Sequence, residues 1–477
     1  MVPAIPPAVT TATITPATLL LAVGALVAGG VLVWLLLRRR PQPPAIPDSE
    51  ALPEPQSTSA VLDAMASLGA AMIDSGYPVG PVRAALEGMA ESNGVAAAQV
   101  VVFPTSILVS SGERGSVQTR VVSAGDSSSL LYQVDAVDRI AGMARSRAGR
   151  APQVARALDR LRTLPPPFPR GQRIGAYALV SAALSVLLGS SWPGVALAGV
   201  LGIGVGGVLL ATERSAAVHR ALVVVGVAMG VGVAVLLIAR YYDPGVLPAI
   251  VAPLVMLLPG GLLTIGVLEL ATGDIMSGAA RVAAGAMRLL LLAAGVVSAA
   301  ALVGVPALVD AGSSLGAFAP WVAVAVFGVG IGVYQCARPG SIRWIIVVLY
   351  VAYAAQVIGD VFFDGVLSAL VGAAAMTPVA VIVARQRTGP PAFVSFLPAF
   401  WLLVPGALGL IGVAGVLEGG ASGMSTLVTT VATMVSVALG VLLGLAVTGS
   451  VRGTNHAAPD EWLRAQFDDQ TDQKNVR

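Results

Sequence analysis

The segment LPGGLLTIGV at residues 258–267 returns later in the chain as VPGALGLIGV at residues 404–413. Aligned without gaps, the two copies share Pro, Gly, Leu, Ile, Gly and Val at matching places. Each copy lies in a long apolar stretch. Proline removes a backbone donor and glycine relaxes the backbone, so both stretches are predicted to be helices that break or kink there. The sequence therefore predicts an internal repeat with one interrupted helix in each half.

The composition around these segments is that of a membrane protein. Of 477 residues, 56% are hydrophobic and 11% are charged, whereas soluble chains carry roughly 25% charged residues. The 55 glycines suit helices that pack closely in lipid, because small residues let their backbones approach. Most of the chain is therefore predicted to be α-helical and embedded in a bilayer.

The N-terminal third is predicted to contain an anchor and a soluble domain. Residues 1–40 contain an apolar run long enough to span roughly 30 Å of hydrocarbon, and this run ends in Arg38, Arg39 and Arg40. Residues 41–59 are a Pro-rich linker. Residues 60–170 have the hydropathy of a soluble α+β domain, with two helices, short strands at 99–103, 107–110 and 119–122, and a helix over 131–162.

The remaining residues are predicted to form about ten membrane spans. About five fall in a first half, residues 171–310, and about five in a second half, residues 311–450, before a tail at 451–477. Because five is odd, the second half enters the membrane from the opposite side. The predicted architecture is therefore an inverted-topology repeat, which is common in secondary transporters.

The arginines predict the orientation. Loops on one side would hold most of them, and loops on the other side only Arg240. By the positive-inside rule, the N-terminus is then outside the inner membrane, while the α+β domain and the tail are cytoplasmic. The arginines of the predicted inside loops are Arg214, Arg220, Arg281, Arg338, Arg343, Arg385 and Arg387.

The two interrupted helices are the predicted binding site. Freed carbonyls and half-helix ends at matching places in two halves can hold substrate groups or ions. The alternative is an ordinary packing kink, since Gly and Pro are common in transmembrane helices. The residues assigned to this site are Pro259, Gly260, Gly261 and Thr264 in the first half and Pro405 and Gly406 in the second.

Four further polar residues are assigned to a substrate or proton pathway. Glu269 and Asp274 follow the first interrupted helix, and Arg281 comes next. An acid is costly within a span unless it is paired or functional, so Glu269 is the candidate proton carrier. The alternative is that both acids cap the next helix from an interfacial loop. Gln356 lies inside a predicted span, where it would line a cavity or bond a neighbouring helix.

Several other chemistries find little support in the sequence. One cysteine and two histidines exclude a disulfide within the chain and argue against a Cys/His metal site. No P-loop pattern occurs, and a net charge of +3 does not argue for nucleic acid. No cofactor or metal is predicted, and the oligomeric state stays open, with a homo-oligomer among the alternatives.

The order and spacing of several stretches resemble the bacterial threonine/serine exporter family, in its form with two fused halves. The resemblance covers residues from about 60 to about 447. It implies export of small hydrophilic amino acids driven by the proton gradient. The chain has Glu269 where the resemblance leads us to expect an aspartate. Similarity to related two-chain systems implies small dicarboxylates as an alternative substrate. The matching stretches are LGAAMIDSG (68–76), VVFPT (101–105), VDAVDR (134–139), LPG (258–260) through Glu269 to Asp274, and LVPG (403–406).

The sequence leaves two other functions open. The first is a membrane-anchored hydrolase that uses Thr105, Ser106 or Ser110 with Asp135 or Asp138. The α+β domain contains no histidine to act as base, which counts against this alternative. The second is a scaffold that recruits partners through the cytoplasmic domain.

The predicted orientation can be tested with reporter fusions. We expect a reporter fused near Gly149 or after Arg452 to give a cytoplasmic signal, because arginine-rich loops are retained inside. A reporter in the loop near Arg240 is the matched control and should give a periplasmic signal. A periplasmic signal at Gly149 would overturn the orientation.

Overall fold

The computed structural model describes residues 16–38, 57–95, 98–112, 117–124, 129–146, 149–213, 215, 217–241, 245–305, 315–386, 388–403, 405–417 and 421–450. The chain divides into two compact units. One contains Met1–Arg39, Pro167–Val267 and Val282–Thr448, and the other contains Arg40–Pro166, Leu268–Arg281 and Gly449–Arg477. Residues 41–56 of the predicted linker (41–59), the predicted tail at 451–477, Arg214 and Arg387 lie outside the described residues. The end of that linker was predicted wrongly, because residues 58 and 59 already belong to a helix.

The α+β domain follows the predicted order of elements. Helix α2 (Thr58–Asp74) is preceded by Ser57, whose hydroxyl accepts a hydrogen bond from the Ala60 amide, as an N-cap does. Helix α3 (Val79–Ser92) precedes the three strands. The single helix predicted over residues 131–162 is wrong, because the structure has α4 (Leu131–Ser146) and α5 (Ala151–Thr163). Gly149 between them has φ of 78°, which glycine tolerates and a continuous helix excludes.

The strands form one antiparallel sheet in the order β1 (Gln99–Phe103), β2 (Ser106–Ser111), β3 (Gln118–Ser123). Ile107 and Val109 of β2 are fully buried. A Cβ added to Gly69 of α2 would meet the Ile107 side chain and lie 2.9 Å from Leu86 of α3. The core of this domain therefore lies where α2 crosses β2, and it needs glycine at that contact.

The other unit is helical. The predicted anchor, α1 (Pro16–Arg38), packs through Ala22 against Trp321 and Ala354. The remaining helices that contribute to this unit are α6 (Arg170–Leu187), α7 (Trp192–Thr212), α8 (Ala217–Ile238), α9 (Val246–Val251), α10 (Gly260–Ala271), α11 (Ile275–Val303), α12 (Ala319–Tyr334), α13 (Pro339–Ala384), α14 (Ala392–Leu402), α15 (Pro405–Leu417) and α16 (Ala421–Ser450).

Among the described residues, six helical segments are long and apolar enough to cross a membrane, and four shorter apolar helices accompany them. The shorter ones are Pro16–Gly29, Gly260–Ala271, Ala319–Tyr334 and Ala392–Leu402. A mostly helical chain with several candidate spans is a multi-span membrane protein. The count of ten spans stays a prediction.

Helix α13 reverses direction although its backbone is helical from Pro339 to Ala384. A Cβ added to Gly359 would lie 3.0 Å from the Cα of Ser368, and one added to Gly372 would lie 3.0 Å from the carbonyl oxygen of Ala352. In a straight helix, residues nine apart would be separated by about 13 Å. The two candidate spans within α13, Pro339–Phe363 and Gly365–Ala384, are therefore antiparallel neighbours.

One close helix contact occurs twice, shifted by 145 positions. A Cβ added to Gly295 of α11 would lie 2.5 Å from the carbonyl oxygen of Val225 in α8, and one added to Gly440 of α16 would meet the carbonyl oxygen of Leu370 in α13. Both glycines let two backbones touch. The close approach of α11 to α8 thus recurs between α16 and the second span of α13.

A second contact recurs with the same shift and with the glycine on the other helix. Gly232 of α8 faces Ala299 of α11, where an added Cβ would lie 2.8 Å from the alanine Cβ. In the later pair, Gly444 of α16 faces Thr377 of α13, and the corresponding distance is 2.5 Å. The packing site is therefore the same in both pairs, while the helix that carries the glycine differs.

These contacts predict unequal effects of added methyl groups. Gly295→Ala and Gly440→Ala should each lower the free energy of unfolding by about 1–3 kcal/mol, the typical cost of overpacking. Gly230→Ala in α8 is the control, because nothing lies within 4 Å of its added Cβ. The measurement is thermal unfolding of the purified protein in detergent. Equal melting temperatures for all three variants would contradict the prediction.

Candidate functional site

The first interrupted helix lies where the repeat segment predicted it. Helix α9 ends at Val251, a short 3-10 helix covers Ala252–Leu254, and α10 begins at Gly260. The carbonyl oxygen of Pro259 accepts the first hydrogen bond of α10, from the Leu263 amide at 2.9 Å. Pro259 and Gly260 are buried and Gly261 is partly buried. The interruption is therefore enclosed by protein, as non-helical backbone in a membrane must be.

Tyr177 of α6 holds the non-helical segment. Its hydroxyl donates to the Pro253 carbonyl oxygen at 2.8 Å, and its side chain is fully buried. The ring also packs edge-on against Tyr334 of α12, with ring centroids 4.7 Å apart. This bond satisfies a carbonyl beside the break, which would otherwise cost several kcal/mol in an apolar setting (about 2–7).

The second interrupted helix has the same layout. Helix α14 ends at Leu402 and α15 begins at Pro405, so Pro405 and Gly406 form the first turn of α15. Pro405 is the first residue of α15, whereas Pro259 immediately precedes α10, so the two Pro-Gly pairs lie within one residue of the same place at the start of a helix.

Helix α11 contacts the helical segments that follow both interruptions. A Cβ added to Gly285 would lie 2.5 Å from the side chain of Leu263 in α10. One added to Gly409 of α15 would lie 2.9 Å from the side chain of Leu289. The turn of α11 at 285–289 is thus a shared neighbour of α10 and α15.

Thr264 and Gln356 occupy different settings. Thr264 in α10 is 1% exposed, and its hydroxyl has no hydrogen-bond partner among the described residues. Gln356 is partly buried in the first span of α13, where its Cβ would lie 3.3 Å from a Cβ added to Gly372. Thr264 lies four residues after the first break, whereas Gln356 packs inside the antiparallel pair of α13.

Glu269 is buried and fully engaged. It lies in the last turn of α10 with 1% exposure. Its carboxylate accepts hydrogen bonds from the Val79 amide at 3.0 Å and from the Ser277 hydroxyl at 2.7 Å. Arg281 Nε lies 3.1 Å from its second oxygen. The carboxylate therefore has donors from the α+β domain and from the first turns of α11.

Arg281 continues this network into the α+β domain. Its guanidinium donates to the Tyr77 carbonyl oxygen at 2.9 Å, and the Tyr77 hydroxyl donates to Asp138 at 2.8 Å. Burial and the neighbouring Asp138 raise the pKa of Tyr77 well above its usual value, while burial raises the pKa of Asp138. Tyr77 therefore stays protonated as a donor, and one chain of bonds joins Glu269 to α4.

Asp274 forms a more exposed pair. Arg83 of α3 donates to it at 3.2 Å, with side-chain exposures of 39% for the arginine and 13% for the aspartate. An exposed pair of this kind contributes about 0–1 kcal/mol. The predicted site residues Glu269, Asp274 and Arg281 thus all contact the segment from Tyr77 to Arg83.

Sequence reasoning missed the partners of these residues. Tyr77, Val79 and Tyr177 carry no local signal, because each acts across a long sequence separation. Arg173 was also missed. It is 4% exposed, forms an ion pair with Glu213 at 2.6 Å and donates to the Tyr334 carbonyl oxygen at 3.0 Å. Arg173 could have been predicted as a paired or functional residue, because an arginine in an apolar helix is costly unless it has a partner.

The alternative hydrolase residues are otherwise engaged. Asp135 is buried and pairs with Arg139 at 3.1 Å, one helical turn away. Asp138 accepts the Tyr77 hydroxyl. Ser106 and Ser110 lie in β2, paired with β1 and β3. These contacts assign both aspartates to the packing of α4.

The helical spans, the two interruptions and the buried ion pair define a multi-span α-helical membrane protein with an attached α+β domain. A family model described as "Putative threonine/serine exporter" (ThrE) matches residues 63–303, from the α+β domain through α11. The chain belongs to this threonine/serine exporter family. No curated protein and no solved structure matches it.

The buried pair predicts a large difference between two arginines. Arg281→Met should lower the free energy of unfolding by about 3–5 kcal/mol, because it leaves Glu269 buried without its counter-charge. Arg83→Met is the control and should cost at most about 1 kcal/mol, since its pair is more exposed.

A double variant sharpens this test. Glu269→Gln combined with Arg281→Met removes both charges and should recover part of the loss. Thermal unfolding in detergent measures all the variants. If Arg281→Met and Arg83→Met melt at the same temperature, the pair does not stabilise the fold.

Proposed function

We propose that this protein exports threonine and serine from the cytoplasm by exchange for protons. Membership of the exporter family and the two interrupted helices that share α11 as a neighbour support this proposal. Interrupted helices at matching places give a transporter free backbone groups for a small polar solute. No nucleotide is needed, because the proton gradient across the inner membrane supplies the energy.

The recurring contacts support an inverted repeat of ten spans. In this proposal the first half comprises α6, α7, α8, the pair α9/α10, and α11. The second comprises α12, the two spans of α13, the pair α14/α15, and α16. Five spans in each half place the halves in opposite orientations, and rocking one against the other gives alternating access. The α+β domain would then be cytoplasmic, with the N-terminus outside.

Glu269 is the proposed proton carrier. Protonation removes its charge, so its ion pair with Arg281 and its bond from the Val79 amide weaken together. The other charged groups close to it are Asp274 and, through Asp274, Arg83. A proton on Glu269 would thereby loosen α10 and α11 from the turn before α3. This links proton movement to the α+β domain at the solute entrance.

Transport in everted membrane vesicles tests the proposal. Wild-type vesicles should accumulate labelled threonine when a proton gradient is imposed. Glu269→Gln should abolish gradient-driven uptake but retain threonine exchange, because exchange needs no net proton movement. Glu269→Asp should keep partial activity, and Asp274→Asn is the control expected to lose less.

Three results would count against the proposal. Normal gradient-driven uptake by Glu269→Gln would remove this residue from the proton pathway. Uptake of succinate in place of threonine would favour the dicarboxylate alternative. Uptake of neither solute with an intact, folded protein would favour a hydrolase or a scaffold.

A further inference from the structure

Helix α11 carries two arginines seven residues apart, Arg281 and Arg288. Seven residues are about two turns, so both side chains project from the same face of the helix. Arg281 forms an ion pair with Glu269. Arg288 is partly buried, and the ionisable groups that act on it electrostatically are Tyr177 and Arg220. In the described part of the chain, none of the ion pairs includes Arg288.

An arginine without an acid partner is unusual within a span. Each costs about 2.5–3.5 kcal/mol at the centre of a helix, and such residues usually face a cavity or a functional site. Arg288 lies about 10 Å further along α11 than Arg281. Its electrostatic neighbour Arg220 adds positive charge near it and does not compensate it. Among the described residues, therefore, no carboxylate pairs with Arg288.

The position of Arg288 on α11 points to the interrupted helices. It lies between Gly285, which contacts Leu263 of α10, and Leu289, which contacts Gly409 of α15. Its stronger electrostatic neighbour is Tyr177, whose hydroxyl binds Pro253 beside the first break. The uncompensated cation is thus close to the non-helical segment and to the turns that follow both Pro-Gly pairs.

The same region contains an unsatisfied hydroxyl. Thr264 is buried, follows Leu263 directly and has no hydrogen-bond partner among the described residues. Buried hydroxyls nearly always find a partner, so an unsatisfied one needs an explanation. A polar ligand that accepts or donates a hydrogen bond would supply that partner.

We propose that Arg288 binds the carboxylate of the transported solute. Its guanidinium presents two parallel donors that match the two oxygens of a carboxylate, and such bidentate pairs are strong and directional. A small amino acid would place its carboxylate on Arg288 and its polar groups near Thr264. This assignment rests on the proposed export function, but its chemistry requires only a carboxylate.

Direct binding to the full-length protein in lipid nanodiscs tests the assignment. The probes are L-threonine, L-threoninol, which lacks the carboxylate, and succinate. Arg288→Gln should weaken threonine binding by at least about tenfold, which corresponds to about 1.4 kcal/mol. Arg288→Lys should lose less, because the charge remains while the fork is lost. Arg343→Gln is the matched control and should bind threonine as the wild type does, since Arg343 bonds Thr388.

Threoninol shows whether Arg288 binds the carboxylate or only stabilises the fold, because threoninol has no carboxylate. It should bind the wild type weakly, and Arg288→Gln should not weaken it further. Equal losses for threonine and threoninol would make Arg288 a structural residue and overturn the assignment. Unchanged threonine binding by Arg288→Gln would also overturn the assignment of Arg288. The proposed export function would not be affected by that result.

The remaining outcomes distinguish the site from the function. If the wild type binds succinate but not threonine, and Arg288→Gln loses succinate, the carboxylate site stands and threonine export is wrong. If Arg288→Gln alters binding only in nanodiscs that contain anionic lipid, Arg288 contacts a lipid phosphate and the assignment fails. Binding of none of the probes by the folded wild type would also reject it.

Discussion

Backbone groups inside a bilayer must find partners within the protein, because no water is there to bind them. Two helices of this chain are interrupted by Pro-Gly pairs, so each needs neighbours that enclose the freed groups. The Tyr177 hydroxyl bonds the Pro253 carbonyl beside the first break, and α11 packs close to the turns after both. Close packing around α11 is therefore a condition for keeping the interruptions, and glycines provide it.

The charges on α11 are organised in two ways. Arg281 meets a buried carboxylate whose other oxygen is bound by an amide of the α+β domain. A buried pair of this kind adds little net stability but is costly to break. The Glu269–Arg281 pair therefore suits a contact with the α+β domain that is either fully formed or fully released. Arg288, two turns later, has no such carboxylate among the described residues, which suits a site whose anion arrives and leaves.

Local chemistry explains what could be predicted from the sequence. Pro259-Gly260 and Pro405-Gly406 break helices by removing donors, so both interruptions were foreseeable. The apolar run at residues 99–103, which ends before Pro104, predicted the first strand with its bounds. The split between α4 and α5 was missed because Gly149 is a single breaker within a helical pattern. The partners of Glu269 and Tyr177 could not be predicted, since Val79 and Pro253 act through backbone atoms at distant positions.

The recurring helix contacts also explain why residues 171–310 and 311–450 resemble each other in sequence only over short stretches. At one packing site the glycine lies on α8 as Gly232, and at the equivalent site it lies on α16 as Gly444. Close approach requires a small residue on one helix, and either helix can provide it. The contact therefore needs only one glycine, and that glycine can lie on either helix. The Pro-Gly pairs lack this freedom, because the interruption must occur in one particular helix, and there the two halves still match residue for residue.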